Sequence, residues 1–276
     1  MTHLDELVAL LRGRRLSVLT GAGVSTESGI PDYRGPETRR RAKNPIRFAE
    51  YMKDDLRRAR YWARSLLGWE RFSSAEPNPA HHALAVLERA GQTTGLVTQN
   101  VDRLHQRAGS RDVIELHGAL EDVRCLDCGA LEPRRELQHR LVVLNPDILS
   151  HAAELAPDGD AELDVDHGLL AGFRVPRCLR CDGTLKPNVI FFGENVPHAI
   201  VEEAYARVEA SEALLVIGSS LAVFSGYRFV RRAEALGLPV AIVNLGPTRG
   251  DPHATLRIEA RAGELLPALV AALTAP

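Results

Sequence analysis

Lysine is scarce in this sequence of 276 residues: only Lys43, Lys53 and Lys186 occur among 34 basic residues, and the formal net charge is −2. That balance excludes broad electrostatic capture of nucleic acid or of an anionic membrane, so partners must be recognised at specific sites. The skew toward arginine is what genomic codon bias produces and carries no functional weight. Long apolar runs are missing too, with nothing approaching the roughly 20 residues that a membrane span requires. The first residues carry a helical pattern rather than a signal-peptide core, and a cytoplasmic protein is expected. The four cysteines all fall in two C-x-x-C pairs. In a reducing compartment such pairs point to metal or redox chemistry rather than to a disulfide framework. The remaining composition, 45% hydrophobic and 25% charged, suits one large domain with insertions or two domains.

Leu4, Leu7, Val8 and Leu11 recur at helical spacing, and after Gly13 the run Leu16–Thr20 reads as a short buried strand ending in glycine. Residues 96–98 and 113–116, Ala213–Ile217 and Val240–Val243 are further short apolar runs, the later ones separated by helical patterns. Such alternation predicts an α/β fold with a parallel sheet. Residues 36–77 read as a helical insertion, in which Phe48, Met52, Leu56, Trp62, Leu66 and Trp69 can share one apolar stripe. Asn78-Pro79 then starts another helix, with Asn as cap and Pro in the first turn. The stretch 121–185 lacks the alternation and holds every cysteine, so a second, small lobe is expected there, with a long loop at about 145–166.

Gly21-Ala22-Gly23-Val24-Ser25 follows the first strand, where glycines let a backbone approach a pyrophosphate and a helix N-terminus can bind it. Thr26 stands where the dinucleotide fingerprint has its third glycine, and an ordinary tight turn is the alternative. Cys125-Leu126-Asp127-Cys128 and Cys178-Leu179-Arg180-Cys181 form two knuckles whose four thiolates suit a closed tetrahedral Zn²⁺ site. A redox dithiol is the rival reading, but it leaves the second pair unexplained. With sulfur at all four positions the zinc would be structural. His117 ends a strand, where parallel sheets line their ligand crevice and an imidazole can act as a general base. His81, His82 and His105 read as structural.

Taken in order, Gly21-Ala22-Gly23-Val24-Ser25, Gly29-Ile30-Pro31-Asp32-Tyr33-Arg34-Gly35, Thr98-Gln99-Asn100-Val101-Asp102, Glu115-Leu116-His117-Gly118, Lys186-Pro187-Asn188-Val189-Ile190-Phe191-Phe192-Gly193-Glu194, Gly218-Ser219-Ser220-Leu221 and Asn244-Leu245-Gly246 closely resemble the sirtuin family. Within it, Tyr61-Trp62-Ala63-Arg64, Pro77-Asn78-Pro79-Ala80-His81, Ala156-Pro157-Asp158-Gly159-Asp160 and Gly246-Pro247-Thr248-Arg249 are most similar to class II. The resemblance implies a Rossmann-like NAD-binding lobe from 1–35, 78–120 and 186–276, and a zinc-ribbon lobe over 121–185. It also implies an NAD-dependent protein lysine deacylase that releases nicotinamide and 2′-O-acyl-ADP-ribose.

On that resemblance His117 is the catalytic base, and Gln99 and Asn100 orient the ribose and water. Ile30 and Asp102 seat the nicotinamide carboxamide, while Asp32, Tyr33 and Arg34 close over NAD. Gly21, Ala22, Gly23, Ser25 and Thr26 belong to the phosphate turn. Gly218, Ser219 and Ser220 offer small residues and hydroxyls to the phosphates, and Asn244, Leu245 and Gly246 meet the adenosine side. Ala262 stands where many family members contact adenine with a cysteine. Ile190, Phe191, Phe192 and Gly193 would meet the acyl-lysine substrate by strand addition, although a plain core strand would look the same. Partners are then acylated lysines in proteins, with neither membrane nor direct nucleic-acid binding expected. ADP-ribose transfer to protein is a second enzymatic reading. A non-catalytic zinc-ribbon binding module is a third.

Overall fold

The computed structural model describes residues 2–33, 35, 45–150, 154–155, 160–162, 170 and 172–275. Its strands in chain order are β1 (Leu16–Thr20), β2 (Thr93–Thr98), β3 (Val113–Glu115), β4 (Gly118–Cys125), β5 (Leu131–Pro133), β6 (Glu154–Leu155), β7 (Ala161–Glu162), β8 (Leu185–Val189), β9 (Ala213–Ile217), β10 (Val240–Val243) and β11 (Leu256–Ile258). They fall into two units, one of residues 1–41, 76–116 and 196–276, the other of residues 42–75 and 117–195.

In the first unit six parallel strands take the order β3-β2-β1-β9-β10-β11. The chain works outward from β1 to β3, then returns to the centre at β9 and works outward the other way. That reversal between β1 and β9 is the place where open α/β sheets bind ligands, beyond the carboxyl ends of the strands. All five residues of β9 are buried, the pattern of a strand covered on both faces. Side chains alternate between those faces. Val18, Leu215 and Ile217 pack with the helices His3–Leu11, Pro79–Arg89 and Ala262–Thr274. Leu19, Leu214 and Val216 pack on the other side with His198–Glu209 and Phe224–Ala235. Each such leucine, fully withdrawn from water, contributes about 2 kcal/mol by transfer. The cap at Asn78 forms as expected, its side-chain oxygen accepting the Ala80 N–H at 2.9 Å.

The second unit holds an antiparallel sheet of order β5-β4-β8, the small β6-β7 pair, and the helices Phe48–Lys53, Asp55–Ser73 and Arg134–Leu144. Three expectations shift here. Asp54, extended and capping Arg57 N–H, splits the insertion into two helices, so the single stripe is broken: Met52 on the first is exposed, and on the second Trp62 and Leu66 are buried while Leu56, in its first turn, is exposed. The cysteine-bearing region contains a helix of 11 residues that buries Leu137 and Leu141. Finally, β8 pairs with β4 rather than with the parallel sheet, which carries residues 186–195 into this unit instead of the NAD-binding lobe. Among the described residues no helix is long and apolar enough to cross a membrane.

Candidate active site and metal centre

In the first unit the turns after β1 and β9 touch through backbone. Gly23 N–H donates to the Gly218 carbonyl at 2.8 Å, and Gly21 N–H to the Ile217 carbonyl at 3.0 Å. A Cβ on Gly218, whose φ is +60°, would lie 2.5 Å from Val24 N, and one on Gly21 would lie 2.7 Å from Ser219 Cβ. Glycine is required at both places by close approach, and at Gly218 by conformation as well. Two 3₁₀ turns, Ala22–Val24 and Thr26–Ser28, follow β1 in place of the α-helix expected after the glycines. Gly29, left-handed at φ +85°, ends them, and the Thr26 hydroxyl donates back to the Gly23 carbonyl at 3.0 Å.

Above these turns lies a cavity of about 370 Å³. Gly23, Thr26, Asp32, Gly218, Asn244, Leu245 and Ala262 line it, all of them expected cofactor residues. Pro31, from the same motif as Asp32, also lines it, as do Glu27, Ala260 and Arg261, which had no signal in sequence. Glu27 accepts the Gly263 N–H at 2.7 Å, so it caps the start of the helix Ala262–Thr274. The contact spans the length of the chain, which is why local pattern does not show it.

Ser25 is the hub of the polar network beside the cavity. Its hydroxyl donates to Asp102 Oδ2 at 2.7 Å and accepts from Asn100 Nδ2 at 3.0 Å, while its carbonyl accepts the Ile30 N–H at 3.3 Å. Ile30, Asn100 and Asp102, expected around nicotinamide and ribose, are thus tied to one residue. Burial pushes the Asp102 pKa up, and hydrogen bonds from Ser25 and the Leu104 N–H hold part of it back. Gln99 Nε2 donates to Ser219 Oγ at 2.7 Å, joining the ends of β2 and β9. Ser220 contributes its carbonyl to Arg249 N–H, and Asn244 donates to the carbonyls of Leu245 and Gly246. Asp32 accepts the Gly35 N–H at 2.8 Å in a tight turn with Tyr33, whereas Arg34 lies outside the described residues. Arg103, at φ +56°, holds a left-handed conformation uncommon for a side-chain-bearing residue, and its Nε donates to Glu115 at 2.9 Å.

In the second unit His117 is half-buried, and its carbonyl accepts the Ile190 N–H at 2.9 Å. The expected base and the expected substrate segment are therefore stitched together by backbone. Gly118 must be glycine, since a Cβ there would fall 2.0 Å from the Asn188 carbonyl oxygen. Past the end of β8, Ile190 and Phe192 are half-buried and Gly193 is exposed, while Phe191 turns inward. The Phe191 ring packs 5.3 Å from Tyr51 and 5.4 Å from Tyr61, so its side chain serves the core rather than a substrate surface.

The four cysteines converge. Their sulfurs all lie within 4.8 Å of one another, with Cys125 and Cys181 3.5 Å apart and Cys128 and Cys178 3.8 Å apart. Gly129 N–H returns to the Cys125 carbonyl and Asp182 N–H to the Cys178 carbonyl, both left-handed residues closing matching knuckles. Asp127 ties the two together by accepting the Thr184 N–H at 2.6 Å. The Arg180 N–H aimed at its sulfur draws Cys178 down to about 7, while the crowding Cys128 and Cys125 sulfurs push Cys181 up to about 12. A divalent cation relieves that crowding by replacing the protons. The donor set fits zinc and leaves no position open for a reacting water.

Part of the long loop is described. Asp160 is buried, its charge acting on Tyr61 and on Arg134, whose guanidinium lies 4.8 Å from the Trp69 ring and 5.6 Å from that of Trp62. The loop is anchored there rather than solvated throughout. Residues 156–159 lie outside the described residues.

Residues 21–225 match the model of the Sir2 family. The chain belongs to that family. This Sir2 protein is 51% identical, over 98% of its length and 98% of the other's, to an NAD-dependent protein deacetylase of Bordetella bronchiseptica. It is 50% identical, over 92% of its length and 81% of the other's, to the human mitochondrial NAD-dependent protein lipoamidase sirtuin-4. A solved Sir2 structure with p53 peptide and NAD⁺ covers 96% of both chains at 34% identity, with a TM-score of 0.76.

Proposed function

We propose that the protein is an NAD-dependent protein lysine deacylase that releases nicotinamide and 2′-O-acyl-ADP-ribose, with acylated lysines of proteins as its substrates. The observation that carries the reading beyond family membership is the backbone bond from Ile190 to His117, which fixes the base against the segment that would pair with the peptide. Bound NAD would supply an electrophilic ribose carbon, with nicotinamide as its leaving group, to the acyl oxygen of the substrate. The chain's own residues do the rest. The turns at Gly21, Ala22, Gly23 and Gly218 bring backbone close to the phosphates, with Ser219 and Ser220 beside them. Asn244, Leu245, Gly246 and Ala262 meet the adenosine end. Ser25 holds Ile30 and Asp102 for the carboxamide, through the Ser25 carbonyl and hydroxyl respectively. Asn100 and Gln99 orient ribose and water, Thr26, Asp32, Tyr33 and Arg34 border the cofactor, and His117 takes a proton from the ribose hydroxyls. Ile190, Phe192 and Gly193 present the edge for the acyl-lysine. Cys125, Cys128, Cys178 and Cys181 hold one structural zinc. A cytoplasmic location suits four free thiols, which a reducing compartment keeps available for metal.

A mass-spectrometric screen tests this reading. One peptide carrying acetyl, longer aliphatic, dicarboxylic or lipoyl lysine is mixed with NAD, and deacylated peptide and nicotinamide are followed together. Coupled appearance of both for at least one acyl group is expected. Peptide that gains ADP-ribose while keeping its acyl group would replace the reading with transferase activity.

A further inference from the structure

Lys186, one of three lysines in the chain, is only 4% exposed. A buried ammonium has to be paired, and this one is paired with a purpose-built set of groups. Its Nζ lies 3.0 Å from Glu194 Oε2, donates to the Val189 carbonyl at 2.5 Å and stands 4.5 Å from the centre of the Phe191 ring. Burial lowers its pKa, and Glu194 pulls it back. Glu194 in turn grips the segment twice: its Oε2 accepts the Phe191 N–H at 2.9 Å and its N–H donates to the Phe191 carbonyl at 2.9 Å. No regular element shapes residues 190–193, because β8 ends at Val189 and the next helix starts at His198. The ion pair closes the base of this loop. Two bonds then carry its geometry outward, Ile190 N–H to the His117 carbonyl at 2.9 Å and Phe48 N–H to the Phe192 carbonyl at 3.0 Å.

We propose that Lys186 and Glu194 are positioning residues for the acyl-lysine peptide, their buried ion pair setting the path of residues 190–193 and, through the Ile190 bond, the placement of His117. The proposal rests on the reading above that this segment meets the peptide. A purely stabilising role is the competing account, and the two separate cleanly. Replacing a buried ion pair as a whole with apolar groups is often neutral for stability, whereas removing one partner strands the other charge.

The test therefore uses Lys186→Met/Glu194→Leu, with Glu194→Gln as the milder variant should the double replacement lack a cooperative thermal transition. Affinity for an acetyl-lysine peptide is read by fluorescence anisotropy, affinity for ADP-ribose by calorimetry, and KM and kcat by nicotinamide release. A positioning role predicts a peptide Kd and KM raised about tenfold in the double variant and about threefold in Glu194→Gln, with ADP-ribose binding within about twofold of wild type. A folded variant whose peptide Kd and KM both stay within about twofold of wild type overturns the proposal. Peptide affinity is read without turnover, so a wild type that binds peptide but releases no nicotinamide contradicts the deacylase reading alone. A wild type that binds no acylated peptide overturns the positioning role too.

Discussion

The His81 and His105 rings are 0% and 1% exposed, with centroids 4.8 Å apart, and they form a titration reporter inside the first unit. His81 Nδ1 accepts the Asn78 N–H at 3.2 Å, so the neutral ring carries its proton on Nε2. Burial first, then the nearby His82, draws the His81 pKa from 6.5 down to about 4, and His105 is drawn well below its ordinary value by burial and by His81. The folded state thus keeps His81 neutral where the unfolded chain protonates it. The stability contributed by a depressed pKa is fully present above the unfolded value of 6.5 and is lost as pH falls through about 4. At about 1.4 kcal/mol per unit, the loss attributable to His81 is on the order of 3 kcal/mol. His81→Gln removes the titration while keeping the cap, because Gln is the usual partner of a capping residue at this position. Urea unfolding of both proteins between pH 7.5 and about 4 should show the wild type losing on the order of 3 kcal/mol more than the variant. Parallel stability curves over that range would refute the assignment of a buried neutral imidazole.

Other expectations follow from the same geometry. Cys178→Ser should yield poorly soluble protein with sub-stoichiometric zinc by elemental analysis, since the thiolate cluster holds the second unit's knuckles together; soluble, active wild type free of zinc would contradict the metal assignment. Gly218→Ala should weaken NAD binding by about tenfold or more in calorimetry, because the new Cβ would force apart the Gly218 and Gly23 turns; unaltered affinity would show that the turns yield at no cost. Shortening residues 147–160 to a glycine-serine bridge should change the ranking of acyl substrates while NAD still binds. The anchored Asp160 makes part of that loop a built element, and an unchanged acyl profile in the folded variant would reduce the loop to a linker.

The parallel sheet and its glycine turns were legible in sequence because β9 and β10 are short and wholly apolar, β1 interrupts its apolar residues only with Ser17 and Thr20, and each is followed by glycine or asparagine. The thiol cluster was legible because its spacing is local. The helix Arg134–Leu144 was not, since only Leu137 and Leu141 mark its buried face and its first residue is an arginine that is itself buried between tryptophans. Asp54 broke an apparently continuous stripe through backbone conformation, which periodicity does not register. Phe191 reads as one of four substrate residues until its ring is seen against Tyr51 and Tyr61. Glu27, Arg261 and the pairing of Lys186 with Glu194 gain their roles only from contacts made by folding.

The most direct test of the central claim is the yield of 2′-O-acyl-ADP-ribose per NAD consumed, measured by mass spectrometry for wild type and for His117→Ala with the same acetyl-lysine peptide. Wild type should form it in step with nicotinamide and deacylated peptide. His117→Ala should form it at least about 10² to 10⁴ times more slowly while binding NAD normally. Equal yields from the two proteins, or nicotinamide released by wild type without any 2′-O-acyl-ADP-ribose, would contradict the account.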